Sequence, residues 1–253
     1  MRIMDNVKIE PITGDILHIT SDERSRNWML ERDAKKVSRE VQIISIDNLP
    51  AYRDAGIQLP SRRICEGDIL IRHPYESNLF LDANNASFEI RFSKYTLISE
   101  IAQRLGATHY EIEEAIEIIE EREWSAKGDL DYKMVKSSMN INNKDDLKSK
   151  MGILIEDQYP KTKASSEDAT TFAKKYNLWG DSMIRSLIRK CSYEGNPLLQ
   201  EHLRFDVTKE ANSLFDAAFS LNALGGIFNI DASLNKTLSM RETIILDIKF
   251  DFQ

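Results

Sequence analysis

The chain has 253 residues, 42% of them hydrophobic and 30% charged, and 34 Lys and Arg against 41 Asp and Glu give a net charge of −7. The high apolar fraction, with only 10 Gly and 2 Cys, excludes a disordered tail, a collagen-like chain and a disulfide-rich scaffold. An acidic chain repels phosphate backbones, so nucleic acid is a disfavoured partner.

The first ninety residues predict a small mixed sheet with one flanking helix. Charged, breaker-free sequence over 21–39 predicts a solvated helix, and the β-branched run at 41–46 predicts a strand. A second strand is expected at 67–71, because the following His-Pro dipeptide stops it. Short apolar runs at 79–81 and 88–92 are read as further extended segments.

The middle of the chain begins with a helix and continues into an ambiguous segment. Apolar spacing over 94–105 predicts a helix that Gly106 ends in a left-handed conformation. Residues 108–124 fit either a strand or a helical stripe, and their many glutamates favour helix. Alternation that resumes over 130–136 after a turn-like segment favours a long hairpin, which is the interpretation adopted.

Residues 145–224 are predicted to be mostly helical. Asp145 is a candidate cap for a first helix, Ser165 begins a capping-box pattern for a second, and Asp181 is a candidate cap for a third. A short stretch near 202–205 precedes a final helix at 211–224.

The last residues carry the clearest strand pattern in the chain. Apolar residues alternate with polar ones over 228–235 and again over 244–252, with a turn expected near Ser239. This pattern predicts an antiparallel hairpin with one apolar and one polar face. The helix at 211–224 is expected to cover the apolar face.

These elements predict the α+β fold class: helices packed on an antiparallel sheet built from long β-hairpins, with a small mixed α/β N-terminal subregion. No Pro-, Ser- or Gln-rich linker divides the chain. We therefore expect one domain over 1–253, with a subregion at 1–93 and a helix and hairpin body at 94–253. A cytoplasmic location is expected, because the chain begins without an export signal and has no long uninterrupted apolar run. Cys65 and Cys191 are read as unpaired core or half-buried thiols.

One enzymatic interpretation centres on the final hairpin. Asp231 is expected to face Asp247, and Lys249 lies two residues further along the same side. The run 246–249 resembles the hydrophobic-D-x-K strand of PD-(D/E)xK nucleases, which implies Mg²⁺ bound by carboxylates, with Glu210 as a third acidic residue. The alternative interpretation is a solvated sheet face.

Other catalytic patterns are sparse. The four histidines lack metal-ligand spacing, and no nucleotide-binding loop motif occurs, so neither a metal nor a cofactor is expected. Cys65 and His73 are close enough in sequence to be considered as nucleophile and base, although a loop or partly buried histidine explains His73 equally.

A candidate binding patch for an anionic partner lies on two adjacent helices, where nearby acidic residues make a solvated face the alternative. Its cations are Lys174, Lys175, Arg185, Arg189 and Lys190.

Together these patterns predict a non-catalytic cytoplasmic protein that binds a protein partner or itself, because strand edges need a covering partner. Two alternatives stay open. Two long amphipathic hairpins resemble, in architecture only, soluble pore-forming proteins such as gasdermins, which implies a pore-forming effector that inserts hairpins into membranes. The other alternative is the Mg²⁺-dependent nuclease.

Overall fold

A computed structural model describes most of the chain in two compact units. The described residues are 10–21, 23, 26–27, 41–124, 130–133, 155–161, 163–193, 198–206 and 240–252. For residues 87, 113–124, 130–133, 155–156 and 240–245 the description covers the backbone alone. The first unit holds the described residues up to Glu89, together with 122–124, 130–132 and Met240, and the second unit holds the others. The expectation of a single domain over 1–253 stays a prediction.

The first unit contains a four-stranded mixed sheet. Its strands are β1 (Ile16–Thr20), β2 (Val41–Ser45), β3 (Ile69–Arg72) and β4 (Phe80–Asp82), in the order β2-β1-β3-β4. β1 and β2 are parallel, whereas the β1–β3 and β3–β4 pairs are antiparallel. The predicted mixed sheet is confirmed. Of the helix predicted at 21–39, most lies outside the described residues.

Both faces of this sheet are buried, and side chains of one face form an apolar cluster with the segment that follows β2. A 3-10 turn and helix α1 (Leu49–Asp54) follow β2, and Pro50 occupies the first turn of α1, where no backbone donor is needed. Leu49 and Tyr52 of α1 join the buried cluster. The other buried members of this cluster are Leu17, Ile19, Ile44, Ile64, Leu70 and Phe80.

Helix α2 (Ala86–Arg104) begins earlier than the sequence pattern predicts. The extended segment expected at 88–92 is wrong, because this run forms the first turns of α2. Phe88 and Phe92, four residues apart on the helix, are 51% and 46% exposed. The predicted end is confirmed, since Gly106 has a φ of 84°.

The other sheet has five strands. These are β5 (His109–Trp124), β6 (Leu130–Lys133), β7 (Ile155–Gln158), β8 (Gln200–Asp206) and β9 (Met240–Asp251). The order is β6-β5-β9-β8, and β7 also pairs with β5. The segment 108–124, which the sequence left ambiguous, thus forms a strand as the adopted hairpin interpretation predicts, and β6 lies beside it. The α+β class is confirmed.

One detail of the predicted body is wrong, because Ile155, expected on a helix, begins β7. Among the described residues of 145–224 the structure has the strands β7 and β8 as well as two helices. β9 is a strand as predicted, and its described partners are β8 and β5. The expected partner at 228–235 and the covering helix at 211–224 lie outside the described residues.

Helices α3 (Ser166–Lys175) and α4 (Ser182–Cys191) begin at the predicted caps. The Ser165 hydroxyl accepts a hydrogen bond from the Asp168 backbone N–H, and the Asp181 carboxylate accepts one from the Met183 N–H. Asp145 lies outside the described residues. Among the helices of the described ranges, none has the length and apolar character needed to cross a bilayer.

Candidate functional site

Where its side chains are described, the sheet of β5 to β9 has one buried apolar face and one exposed polar face. On β9, Leu246, Ile248 and Phe250 are buried, as the alternation predicts. Leu203 and Phe205 of β8 are buried as well. The hydroxyl of Tyr110, on β5, donates to the backbone carbonyl of Tyr95, so helix α2 contacts this sheet.

Asp247 and Lys249 project from the polar face, as predicted for the nuclease interpretation. Their side chains are 42% and 56% exposed. The His202 ring contacts the Asp247 carboxylate from β8, and the Lys249 ammonium lies 3.6 Å from a carboxylate oxygen of Glu111 on β5. Both residues of the Asp-x-Lys run therefore have cross-strand partners that sequence reasoning did not identify.

An open cleft of about 360 Å³ lies over the same strands. β5 contributes His109 and Glu111 to its lining, β8 contributes residues 200–202, and β9 contributes residues 249–251. Acidic, basic and imidazole groups alternate around it. This mixture of neutralising charges is typical of a hydrated sheet surface.

The rest of the predicted nuclease set is not in this cleft. Asp231 and Glu210 lie outside the described residues. Within the described ranges, no group of three or more His, Cys, Asp or Glu side chains is arranged to hold a metal ion. The nuclease interpretation needs a second carboxylate beside Asp247, whereas the neighbour that the structure describes there is His202.

Three of the five predicted binding cations have specific contacts with the turn between α3 and α4. The Lys174 ammonium lies 5.4 Å from the centre of the Trp179 ring, and that of Lys175 lies 5.0 Å from the centre of the Tyr176 ring. Arg185 donates to the carbonyls of Trp179 and Gly180 at 2.7 and 2.9 Å.

The other two cations lie at the end of α4. Lys190 pairs with Glu201 at 2.5 Å, and exposed Arg189 donates at 3.4 Å only to a backbone carbonyl. Apart from Lys190, these cations have no ion pair in the part of the chain that the structure describes. The structure therefore places the five predicted cations on one helical pair, and leaves most of their charge unneutralised.

His73 has a structural environment. It is 1% exposed, and its Nδ1 accepts backbone hydrogen bonds from Tyr75 at 3.3 Å and Glu76 at 3.1 Å. Burial lowers the pKa of the ring to about 4. These contacts favour the partly buried histidine that the sequence left open beside the catalytic reading.

The two cysteines differ in exposure. Cys65 is exposed, so its expected burial is wrong, because it lies in a loop beyond the core. Cys191 is partly buried, and burial raises the pKa of its thiol to about 12. Both are free, as predicted.

Two buried polar clusters escaped sequence reasoning. The Ser99 hydroxyl, on α2, contacts Tyr159 and donates at 3.2 Å to Asp157, to which the Tyr159 hydroxyl also donates. Lys94 is 1% exposed and pairs with Asp181 at 3.1 Å. Lysine within an otherwise apolar helical stripe was the available signal for the second cluster.

Comparison of the chain with protein-family models, with curated proteins and with solved structures finds no match in any of the three.

Proposed function

We propose that this protein acts without catalysis, by self-association into an assembly that inserts amphipathic hairpins into a membrane. The supporting observation is the arrangement of two strand pairs in the second unit. β5 pairs with β7 and β8 pairs with β9, and both pairs are antiparallel. Each pair is therefore the base of a hairpin whose connecting chain is long.

Both hairpins point in the same direction. The Thr108 N–H donates to the Asp251 carbonyl at 2.8 Å, and Lys249 approaches Glu111, so β5 and β9 run antiparallel side by side. The described register of the two pairs ends at Ile112 with Ile155 and at Asp206 with Ile245. Both connections accordingly begin at the same end of the described pairing.

The connecting chain is long enough for membrane insertion. A tilted strand needs roughly 9–11 residues to cross a bilayer. The connections span residues 113–154 and 207–244, and each exceeds two such strands and a turn. β5 already continues as a strand to Trp124, and β9 begins at Met240. Each hairpin thus has the length to reach across a membrane.

Amphipathic patterning supports the same function. At the base of the hairpins, one face buries Ile112, Leu203 and Ile248 and the other carries charge. The sequence predicts that this alternation continues over 228–235. In an inserted hairpin, hydrogen bonds between the strands satisfy the backbone N–H and C=O groups, and the side that faces lipid must be apolar.

Self-association is needed because one pair of hairpins leaves strand edges unpaired in lipid. We propose a second copy of the chain as the partner and the cytoplasm as the compartment. The two free cysteines agree with this compartment, because the cytoplasm keeps thiols reduced. The nuclease alternative has no described residue in support beyond Asp247 and Lys249.

The test is release of dye from lipid vesicles by the full chain. Ile230→Asp/Leu234→Asp places two charges on the predicted lipid side of the second hairpin. We expect it to reduce release at least about tenfold, because charge on the lipid face is costly at the bilayer centre. Asn229→Asp/Asn235→Asp adds the same charge on alternate positions and is expected to retain release within about twofold.

Far-UV circular dichroism of both variants checks that the fold is retained. An unmodified chain that releases no dye from zwitterionic or anionic vesicles contradicts membrane insertion. Equal loss in both variants contradicts the assigned lipid side. Mg²⁺-dependent cleavage of nucleic acid that is lost in Asp247→Ala establishes the nuclease alternative instead.

A further inference from the structure

The pair of helices α3 and α4, with the turn between them, presents an exposed cationic surface that we call the basic hairpin (residues 166–191). Lys174, Lys175 and Arg189 are exposed. Within the described ranges no carboxylate pairs with any of the three. Lys190, which binds Glu201, does not contribute free charge.

The acidic residues of the basic hairpin are already engaged elsewhere. Asp168 lies 3.3 Å from the Arg104 guanidinium, and Asp181 both caps α4 and pairs with Lys94. Glu167 and Asp168 also lie in the first turn of α3, where the helix dipole stabilises negative charge. The charge that this surface offers to a partner is therefore positive.

Aromatic rings hold two of these cations in place. Lys174 and Lys175 lie near the rings of Trp179 and Tyr176, within the range of cation–π attraction. Both rings are partly exposed. A surface that combines ammonium groups with partly exposed aromatic rings suits a carboxylate-rich protein segment. The ammonium groups attract the carboxylates, and the rings add apolar contact area.

The most acidic element of the same chain is β5. Its 16 residues include seven glutamates against one arginine, Arg122. Glu111 is paired with Lys249. Successive strand residues are roughly 3.3 Å apart, so the sequence puts several like charges within one Debye length of about 10 Å, where they repel. A partner of opposite charge relieves this repulsion.

We infer that the basic hairpin of one copy binds the acidic strand β5 of the next copy, in a head-to-tail contact that forms in solution, before the hairpins insert. This inference rests on the self-association proposed above and names its interface. Such a contact uses two different surfaces, so it forms closed rings or open filaments and not a two-fold dimer. Polyanions such as nucleic acid fit the patch less well, because the whole chain carries a net charge of −7.

The test is a charge swap measured by sedimentation of the full chain in low salt. Lys174→Glu/Lys175→Glu reverses the basic hairpin, and Glu117→Lys/Glu121→Lys reverses one side of β5, since strand residues four apart share a face. We expect each variant alone to associate at least about tenfold more weakly than the unmodified chain. An equimolar mixture is expected to recover association, because each reversed surface then finds a complementary one.

Arg53→Glu/Arg63→Glu provides the matched control, since it makes the same charge change at two exposed arginines of the first unit. It is expected to associate as the unmodified chain does. A monomeric unmodified chain, unchanged association of either swap variant, or a mixture that fails to recover overturns the inference. So does loss of binding to anionic vesicles in Lys174→Glu/Lys175→Glu with solution association intact, which identifies lipid as the partner.

Failure of this interface and failure of the proposed function give different results. If dye release persists while the charge swaps leave association unchanged, the function stands and the interface is wrong. If the mixture recovers association but no chain releases dye, the interface stands and membrane insertion is wrong.

Discussion

Two buried histidines make the first unit sensitive to acid. His18 on β1 is 4% exposed and His73, after β3, is 1% exposed. Burial lowers the pKa of both rings from 6.5 to about 4, because it penalises the charged form. Each ring is therefore neutral in the folded chain at pH values where it is protonated in the unfolded chain.

Because of this difference, stability is expected to fall as the pH drops from about 6.5 toward 4, where the unfolded chain binds more protons. For one such ring the steepest loss is about 1.4 kcal/mol per pH unit. His73→Asn retains an acceptor for the Tyr75 and Glu76 N–H groups but does not titrate. We expect it to weaken the dependence of the urea midpoint on pH between roughly 7 and 4.5.

His73→Ala is the comparison variant, since it removes the acceptor as well as the titration. Its urea midpoint is expected to lie below that of His73→Asn by a similar amount at roughly pH 7 and roughly pH 4.5, because the backbone donors of Tyr75 and Glu76 lose a partner. A pH dependence in His73→Asn equal to that of the unmodified chain contradicts the assignment.

At the scale of elements, local signals identify the helix starts and nonlocal pairing decides the short strands. Ser165 and Asp181 cap α3 and α4 as predicted, because a cap depends on residues two or three positions away. In β7, with the sequence IEDQ, apolar and polar residues do not alternate, and this segment is a strand because it pairs with β5. Sequence alone has no access to that pairing.

In the candidate site too, local sequence predicts which side chains share a face, whereas nonlocal pairing decides which partners they contact. The period of a strand places Asp247 and Lys249 on one side of β9, and the structure confirms it. Their partners, His202 and Glu111, come from β8 and β5, which are distant in sequence. Which charges meet across a sheet depends on strand order and register, and neither is encoded locally.

Asp181 joins two elements, because it caps α4 through Oδ1 at 2.9 Å and pairs through Oδ2 with buried Lys94 of α2. Asp181→Asn retains the cap acceptor and removes the charge. We expect it to lower the free energy of unfolding by about 2–4 kcal/mol, since a buried ammonium loses its counter-ion. Asp181→Ala also loses the cap, for about 1 kcal/mol more.

Lys94→Met/Asp181→Asn tests the coupling. The double variant is expected to be more stable than Asp181→Asn, because the buried ammonium is removed together with its ionic partner. Denaturant unfolding of the three variants measures these differences. Additive losses show that the two side chains act independently and contradict this role.

At the scale of the whole molecule, charge is distributed unevenly. The chain carries a net charge of −7, β5 contains seven glutamates, and the basic hairpin offers exposed cations. Such a distribution favours contact between unlike surfaces of different copies. It disfavours approach of the same surface in two copies, which directs assembly toward a repeating head-to-tail arrangement.

This distribution also predicts the lipid preference of the assembly. The whole chain carries a net charge of −7, so an assembly in which the next copy covers the cations of the basic hairpin is repelled by anionic headgroups. Release of dye is then expected to be faster from zwitterionic than from anionic vesicles at roughly 50 mM salt, and the difference is expected to narrow at roughly 500 mM as screening shortens the Debye length. Faster release from anionic vesicles in low salt contradicts this, because it requires cations that remain open to lipid headgroups in the assembled state.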